Sequence, residues 1–190
     1  TRRHYRRQSR LKYGMVTWLV IASWVPSVAI SKDHQPSRVV KNVILFIGDG
    51  MGYNQIQLTQ EVTGKKLFMS SLPISGTVLT ASSSQFITDS AAAATALATG
   101  IKVPNKTVAL TEEGKKLKTI LERLKEKNKK TGLVTTTEII DATPACFATH
   151  EKSRKNKLAI APQLLNGSVD VLLGGGRKYF LPKALGGLRD

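Results

Sequence analysis

The sequence TDSAAAATALATG, residues 88–100, sets an acid and a hydroxyl at the start of an alanine-rich helix. Alanine is the strongest helix former, and either Thr88 or Asp89 is a typical N-cap, so Ser90 is predicted in or beside the first turn. The unpaired N–H groups and the positive end of the dipole suit such a terminus to phosphate. Gly100 is predicted to end the helix in a left-handed conformation. Two interpretations stay open: Ser90 is a nucleophile, or Asp89 and Ser90 only cap a buried helix.

Strands and helices alternate along the rest of the chain. Continuous β-branched and apolar runs predict strands, the first of them buried on both faces, and amphipathic or alanine-rich segments predict helices. The predicted strands are Val39–Ile47, Ser75–Thr80, Leu133–Thr137 and Val169–Leu173, and the predicted helices are Tyr53–Glu61, Ser90–Thr99, Thr119–Lys129 and Ile160–Leu165. This order predicts an α/β sandwich with a mostly parallel central sheet and helices on both faces.

The first residues have the pattern of a secretory leader. Residues 1–14 carry six Lys or Arg and no acid, and the apolar run Met15–Val28 follows them. A small-x-small site predicts cleavage after Ala29, which gives a signal peptide or leader over residues 1–29. The apolar run is short and interrupted for a membrane span. An uncleaved membrane anchor, or Met15 as the true start, remains open.

A polar linker is predicted at residues 30–38, and the remaining residues, 39–190, form one domain. A cleaved leader predicts a secreted or periplasmic protein, in contact with a membrane only if the leader is retained. The formal net charge of +16 comes partly from the leader and partly from eight Lys or Arg in residues 115–130, where glutamates partly offset them. That segment has the pattern of a solvated surface helix, without interleaved aromatics, so no nucleic-acid-binding role is expected. The overall field is expected to attract anionic substrates.

Cysteine and histidine are scarce. Cys146 is the only cysteine, which excludes an intrachain disulfide and a thiolate metal cluster, and its apolar neighbours indicate a buried structural thiol. The three histidines are His4, His34 and His150.

Three groups of polar residues follow predicted strands, where ligands gather in α/β folds. Asp49 follows the first strand between glycines. Asp141 and Thr143 follow the strand at 133–137 and point the same way if the chain is extended, with oxygens that suit Mg²⁺. Arg154 carries the guanidinium that grips phosphate through two parallel hydrogen bonds. Each also has a plain interpretation, as turn residues or a surface cation.

Together, the GDGMG turn, TDSAAAATALATG, DATPA with a downstream serine-arginine pair, and LLGGG resemble the amino-terminal part of an alkaline phosphatase. The similarity runs from about Lys41 to Phe180. It implies that residues 39–190 are the amino-terminal portion of a catalytic domain, incomplete, with an alkaline-phosphatase-like three-layer sandwich. It also implies phosphate monoester hydrolysis through a phosphoserine at a site of two Zn²⁺ and one Mg²⁺, and it allows a homodimer of the full-length protein.

The resemblance carries roles onto individual residues. Asp49 would bridge the Mg²⁺ and one Zn²⁺, and Ser90 would be the nucleophile and a metal ligand. Thr143 would bind Mg²⁺, and Asp141 would orient the waters of that ion. The remaining two roles concern phosphate: Arg154 would clamp it, and Asp89 would hold the arginine in place.

The chain also departs from the family pattern. Members take most zinc ligands and a magnesium-binding glutamate from a later half, and His150 matches a position that binds no zinc. The disulfide often found shortly after the arginine is absent here. We therefore expect the parent protein to hydrolyse phosphate monoesters and this chain alone to be inactive. The alternatives are a related metallo-hydrolase, such as a phosphomutase or sulfatase, and a non-catalytic secreted remnant.

Overall fold

A computed structural model describes residues 40–167 and 169–189 of the 190-residue chain. The predicted leader, residues 1–29, and the linker, residues 30–38, lie outside the described residues. The chain divides into two compact units, residues 1–45 and 46–190. Every helix and strand named below belongs to the second unit. No helix in the described residues is long and apolar enough to cross a membrane.

Helices and strands alternate in the second unit, as the sequence predicts. The α-helices are α1 (Tyr53–Thr63), α2 (Ser90–Thr99), α3 (Ile120–Glu126), α4 (Ala142–Ala145) and α5 (Lys157–Asn166), and the strands are β1 (Gly132–Glu138) and β2 (Val171–Gly175). Short 3₁₀ helices lie at Phe68–Ser71, Arg177–Tyr179 and Lys183–Leu185. The predicted helices and the last two predicted strands therefore form, with shifts of a few residues at their ends.

The helix α2 has the ends that its sequence predicts. Asp89 is the N-cap, and its carboxylate accepts a hydrogen bond from the N–H of Ala92, which satisfies one of the free donors of the first turn. Gly100 ends the helix with φ of 78°, a conformation that glycine adopts without steric cost. Ser90 is thus the first residue of the helix.

The sheet consists of β1 and β2, which pair in parallel. Their register aligns Gly132 with Val171 and Val134 with Leu173, and it shifts between Val134 and Glu138. The glycine at position 174 allows the strands to approach, because a Cβ there would lie 2.7 Å from Cγ2 of Thr135. The glycine run thus serves strand packing.

The core lies where α2, α4 and α5 pack beside the sheet. Its most deeply buried large side chains are Ile140, Ile160 and Leu164, and alanines of α2 and α4 let those helices approach closely. Cys146 is buried in this cluster and donates from Sγ to the carbonyl of Ala91, 3.2 Å away. Burial raises the pKa of its thiol to about 11. The prediction of a buried structural thiol is confirmed.

Two strand predictions are wrong in the described residues. Residues 40–47 and residues 75–80 form no strand, and their apolar side chains are exposed rather than buried, for example Phe46 at 89% and Leu79 at 86%. A strand exists only where its backbone N–H and C=O groups pair with a neighbour, and no described strand pairs with either segment. The residue types of both segments are those of a strand, but residue types alone do not supply a neighbouring strand to pair with.

Candidate active site

The candidate site is built on the first turn of α2. Ser90 Oγ donates a hydrogen bond to Oδ1 of Asp49, 3.0 Å away. Thr143 Oγ1 donates to the other oxygen of the same carboxylate, Oδ2, at 2.6 Å. The glycine-flanked turn after residue 48 brings the carboxylate here, with the Met51 N–H bonded to the carbonyl of Gly48. One carboxylate therefore joins two hydroxyls that lie 41 and 94 residues away along the chain.

Asp141 and Thr143 lie at the start of α4. They were expected to point the same way if the chain is extended, and the chain here turns into a helix instead. Asp141 is the N-cap and accepts from the Ala142 N–H at 2.8 Å. The helical backbone directs the two side chains to different partners, the carboxylate to Arg154 and the hydroxyl to Asp49. The sequence predicted a turn or a metal ligand pair here and did not predict a helix start.

Arg154 lies between two carboxylates. Its Nη2 donates to Oδ1 of Asp141 at 3.0 Å, and its Nη1 donates to Oδ2 of Asp89 at 3.4 Å. The resemblance implies that Asp89 holds the arginine in place, and that role stays a prediction. The shorter contact with Asp141 was not predicted, because the two residues were assigned to different ligands.

Electrostatics favour the ionised forms of Asp141 and Arg154. Partial burial raises the pKa of Asp141, but hydrogen bonds from Ala142 and Arg154 and the charge of the guanidinium outweigh it, so this pKa lies below its ordinary value. Partial burial likewise lowers the pKa of Arg154, but Asp141 and Asp89 outweigh that effect and raise it. The site therefore holds a fixed positive charge close to the start of α2.

The backbone of Lys106 was missed by the sequence reasoning. Its N–H donates to Oδ1 of Asp89 at 3.1 Å, and its carbonyl accepts from the N–H of Arg154 at 2.8 Å. The side chain of Asn105 also contacts this region, accepting from the Asp89 N–H at 3.2 Å. The Pro-Asn pair at 104–105 is a turn signal and was the available hint.

The contacts of His150 are structural. Its side chain is 7% exposed, with Nδ1 2.8 Å from the carbonyl oxygen of Ala109 and Nε2 2.9 Å from Oε1 of Glu122. The backbone N–H of His150 donates to Oε1 of Gln163 in α5. These contacts tie α3, α5 and the loop before α3 together.

The donor set near α2 consists of hard oxygens. The carboxylate of Asp49 and the hydroxyls of Ser90 and Thr143 are the ligand types that Mg²⁺ prefers. Within residues 40–167 and 169–189, no three His, Cys, Asp or Glu side chains gather into a metal-holding group. The described residues therefore fit part of a magnesium site, and by themselves they do not complete a zinc site.

Comparison with known proteins gives a consistent result. The family model described as alkaline phosphatase matches residues 40–187. The chain is 44% identical to alkaline phosphatase 3 of Bacillus subtilis over 155 residues, 74% of this chain and 34% of that protein. It is 35% identical to the alkaline phosphatase of Escherichia coli over 188 residues, 84% of this chain and 40% of that protein.

A solved structure of a TAB5 alkaline phosphatase variant with Mg bound in its M3 site aligns with a TM-score of 0.71 and 37% identity, over 73% of this chain and 40% of that chain. The α/β class is thereby confirmed, as an incomplete alkaline-phosphatase-like fold. The chain spans between a third and two fifths of the length of these relatives. By its sequence and its fold, the chain belongs to the alkaline phosphatase family.

Proposed function

We propose that this chain carries the nucleophile, the phosphate clamp and part of the magnesium site of an enzyme that hydrolyses phosphate monoesters. The observation that supports this most strongly is the joint contact of Ser90 and Thr143 with Asp49, at the end of α2 where Asp89 engages Arg154. Membership of the alkaline phosphatase family favours hydrolysis over the phosphomutase and sulfatase alternatives.

Ser90 is the proposed nucleophile. Its Oγ would form a bond to phosphorus while the bond to the leaving oxygen breaks, giving a phosphoserine that water then hydrolyses. Ser90 Oγ donates a hydrogen bond to Oδ1 of Asp49, so this contact orients the hydroxyl and places an acceptor beside the proton that the nucleophile must lose. The position at the first residue of α2 also sets the free N–H groups and the dipole of the helix toward the developing negative charge.

Arg154 is the proposed clamp for the non-bridging oxygens. Its guanidinium is half-buried and held by two carboxylates, so its position is fixed before a substrate arrives. Preorganised positive charge of this kind contributes to phosphoryl transfer through positioning and electrostatics. Asp89 and Asp141 are the proposed positioning residues for the clamp.

The proposal includes metal ions, and it names the residues of this chain that would bind them. Asp49 and Thr143 would hold Mg²⁺, with Asp141 orienting its waters, and Ser90 and Asp49 would contribute to zinc binding. Bound metal ions supply positive charge that lowers the pKa of a nucleophile and stabilises the attacking and leaving oxygens. The Mg in the TAB5 neighbour supports this assignment.

The test is the turnover of p-nitrophenyl phosphate by the complete gene product in the presence of Zn²⁺ and Mg²⁺. Ser90→Ala should lower kcat by about a thousandfold or more, because no other group replaces the covalent step. Ser71→Ala is the matched control, since that hydroxyl donates to the carbonyl of Phe68 within its own 3₁₀ turn. Mass spectrometry after an acid quench should find phosphate on Ser90. Unchanged turnover in Ser90→Ala would refute the proposed nucleophile.

A further inference from the structure

Asn105 and Lys106 are here named the 105–106 turn. This turn contacts both Asp89, at the start of α2, and Arg154. The side-chain oxygen of Asn105 accepts from the N–H of Asp89 at 3.2 Å. Its Nδ2 donates to the carbonyl of Ile87 and to Oε1 of Gln85, both at 3.0 Å. The amide thus uses its acceptor and both of its donors on residues 85–89, the segment that leads into α2.

Lys106 contributes through its backbone. Its N–H donates to Oδ1 of Asp89 at 3.1 Å and its carbonyl accepts from the N–H of Arg154 at 2.8 Å. The same Oδ1 accepts from the Ala92 N–H, so the N-cap of α2 and the 105–106 turn share one oxygen. Two adjacent residues thereby connect the nucleophile end of α2 to the arginine loop.

The backbone of this turn is in an unfavourable conformation. Lys106 has φ of 73°, in the left-handed region where residues other than glycine pay a steric penalty of about 1 kcal/mol or more. Its side chain is exposed, so side-chain packing does not account for the conformation. The two hydrogen bonds of its peptide groups, to Asp89 and Arg154, are the contacts that favour it. Backbone strain of this kind persists where the surrounding structure over-determines the conformation.

We propose that Asn105, with the backbone of Lys106, is a positioning element that fixes Asp89, and hence Ser90, relative to Arg154. This inference rests on the proposed function for its catalytic meaning, but its structural content does not. Asn105 acts through Asp89, and Lys106 acts through its peptide groups rather than its ammonium group.

The first test is residue-resolved hydrogen–deuterium exchange on the complete gene product. Asn105→Ala should raise the exchange of the Asp89 amide by about tenfold or more, since the hydrogen bond that protects this amide is lost, and that of the Arg154 amide in the same direction. The amide of Gly100, bonded to Ala96 at the other end of α2, should keep its protection. An unchanged Asp89 amide, or an equal rise at all three amides, would overturn the positioning role.

A pair of Lys106 variants separates backbone from side chain. Lys106→Gly takes a φ of 73° freely and keeps both peptide groups, so the protection of the Arg154 amide should be retained. Lys106→Val places a β-branched residue in that conformation and should lose the protection. If glycine and valine behave alike, the backbone of Lys106 has no positioning role.

Turnover then separates this inference from the proposed function. If Ser90 is the nucleophile, Asn105→Ala should lower kcat by about ten- to a hundredfold with KM changed less, because the reacting groups are misaligned. A rise in KM with kcat unchanged would contradict the positioning role. If Ser90→Ala instead leaves turnover intact, the proposed function fails, and the exchange pattern still decides whether the 105–106 turn holds Asp89 and Arg154.

Discussion

Two regions of the second unit differ sharply in burial. Residues 46–87 contain no buried side chain, whereas every buried side chain of the described residues lies between Ala91 and Leu164. Both regions have apolar residues, and both contain helix. The difference is that α2, α4 and α5 contribute buried side chains to one hydrophobic cluster, while α1 has no buried residue. Apolar sequence becomes a core only when another element covers it.

The candidate site joins these two regions. Asp49 lies in the exposed one, and its partners Ser90 and Thr143 lie in the packed one. The packed region thus supplies a rigid frame for the hydroxyls and the guanidinium, and a glycine-flanked turn supplies the carboxylate. Sites of this kind depend on the frame for their precision.

The largest expected effect on stability is the difference between one substitution, isoleucine to alanine, made in the packed region and in the exposed region. Ile160→Ala should lower the free energy of unfolding by about 2–5 kcal/mol, because Ile160 is 0% exposed and leaves a cavity. Ile74→Ala, at a side chain that is 86% exposed, should change it by less than about 0.5 kcal/mol. Urea unfolding followed by circular dichroism measures both. Equal losses would mean that residues 46–87 are packed in the complete protein.

A smaller effect is expected from glycine. Gly174→Ala should destabilise by about 1–3 kcal/mol, because the new Cβ would lie 2.7 Å from Cγ2 of Thr135 and 3.3 Å from Cβ of Ile139. Gly76→Ala is the matched control, with nothing within 4 Å, and should be neutral or stabilise by about 0.4–1 kcal/mol. Thermal unfolding of the two variants makes the comparison. A neutral Gly174→Ala would show that β1 and β2 separate more easily than their register suggests.

The smallest effect concerns pH. Burial raises the pKa of Glu122, but hydrogen bonds from His150 and Thr119 outweigh it and hold this pKa below its ordinary 4.5. The carboxylate therefore contributes stability above about pH 4.5 that is lost as the pH falls through the lower, folded-state pKa. Glu122→Gln keeps a capping-box side chain and loses the charge, so it should cost about 1 kcal/mol at neutral pH.

That cost should shrink as acid protonates Glu122 in the unaltered protein. Unfolding curves from pH 7 down to pH 3 measure it. Glu61→Gln in α1, where the side chain is exposed, is the control and should change little at either pH. A Glu122→Gln difference that stays constant with pH would contradict the assigned role of the charge.

Local features of the fold could be predicted from the sequence, and contacts over long separations mostly could not. The ends of α2 follow from Asp89 and Gly100, whose preferences act within one turn. The meeting of Asp49 with Ser90 and Thr143 follows from the family resemblance and not from any local pattern, because no strand forms before Asp49 in the part of the chain that the structure describes. Asn105 was missed because its partners are chosen by the tertiary fold and its own segment shows only a turn.

The two strand predictions failed because they also depended on a distant partner. The run ending at Ile47 has the residue types of a buried strand, but pairing requires a neighbour that local sequence does not specify. The contact between Asp141 and Arg154 was also missed, because the two residues were assigned to different ligands. In both cases the residue types were recognised and the partner was not.

Cys146 gives this protein a built-in reporter. Because it is the only cysteine of the sequence and its thiol bonds to the Ala91 carbonyl inside the α2–α4 contact, an alkylating reagent reaches it when those helices move apart. The rate of alkylation therefore measures how often the serine-bearing helix undocks, without a mutation or an introduced dye.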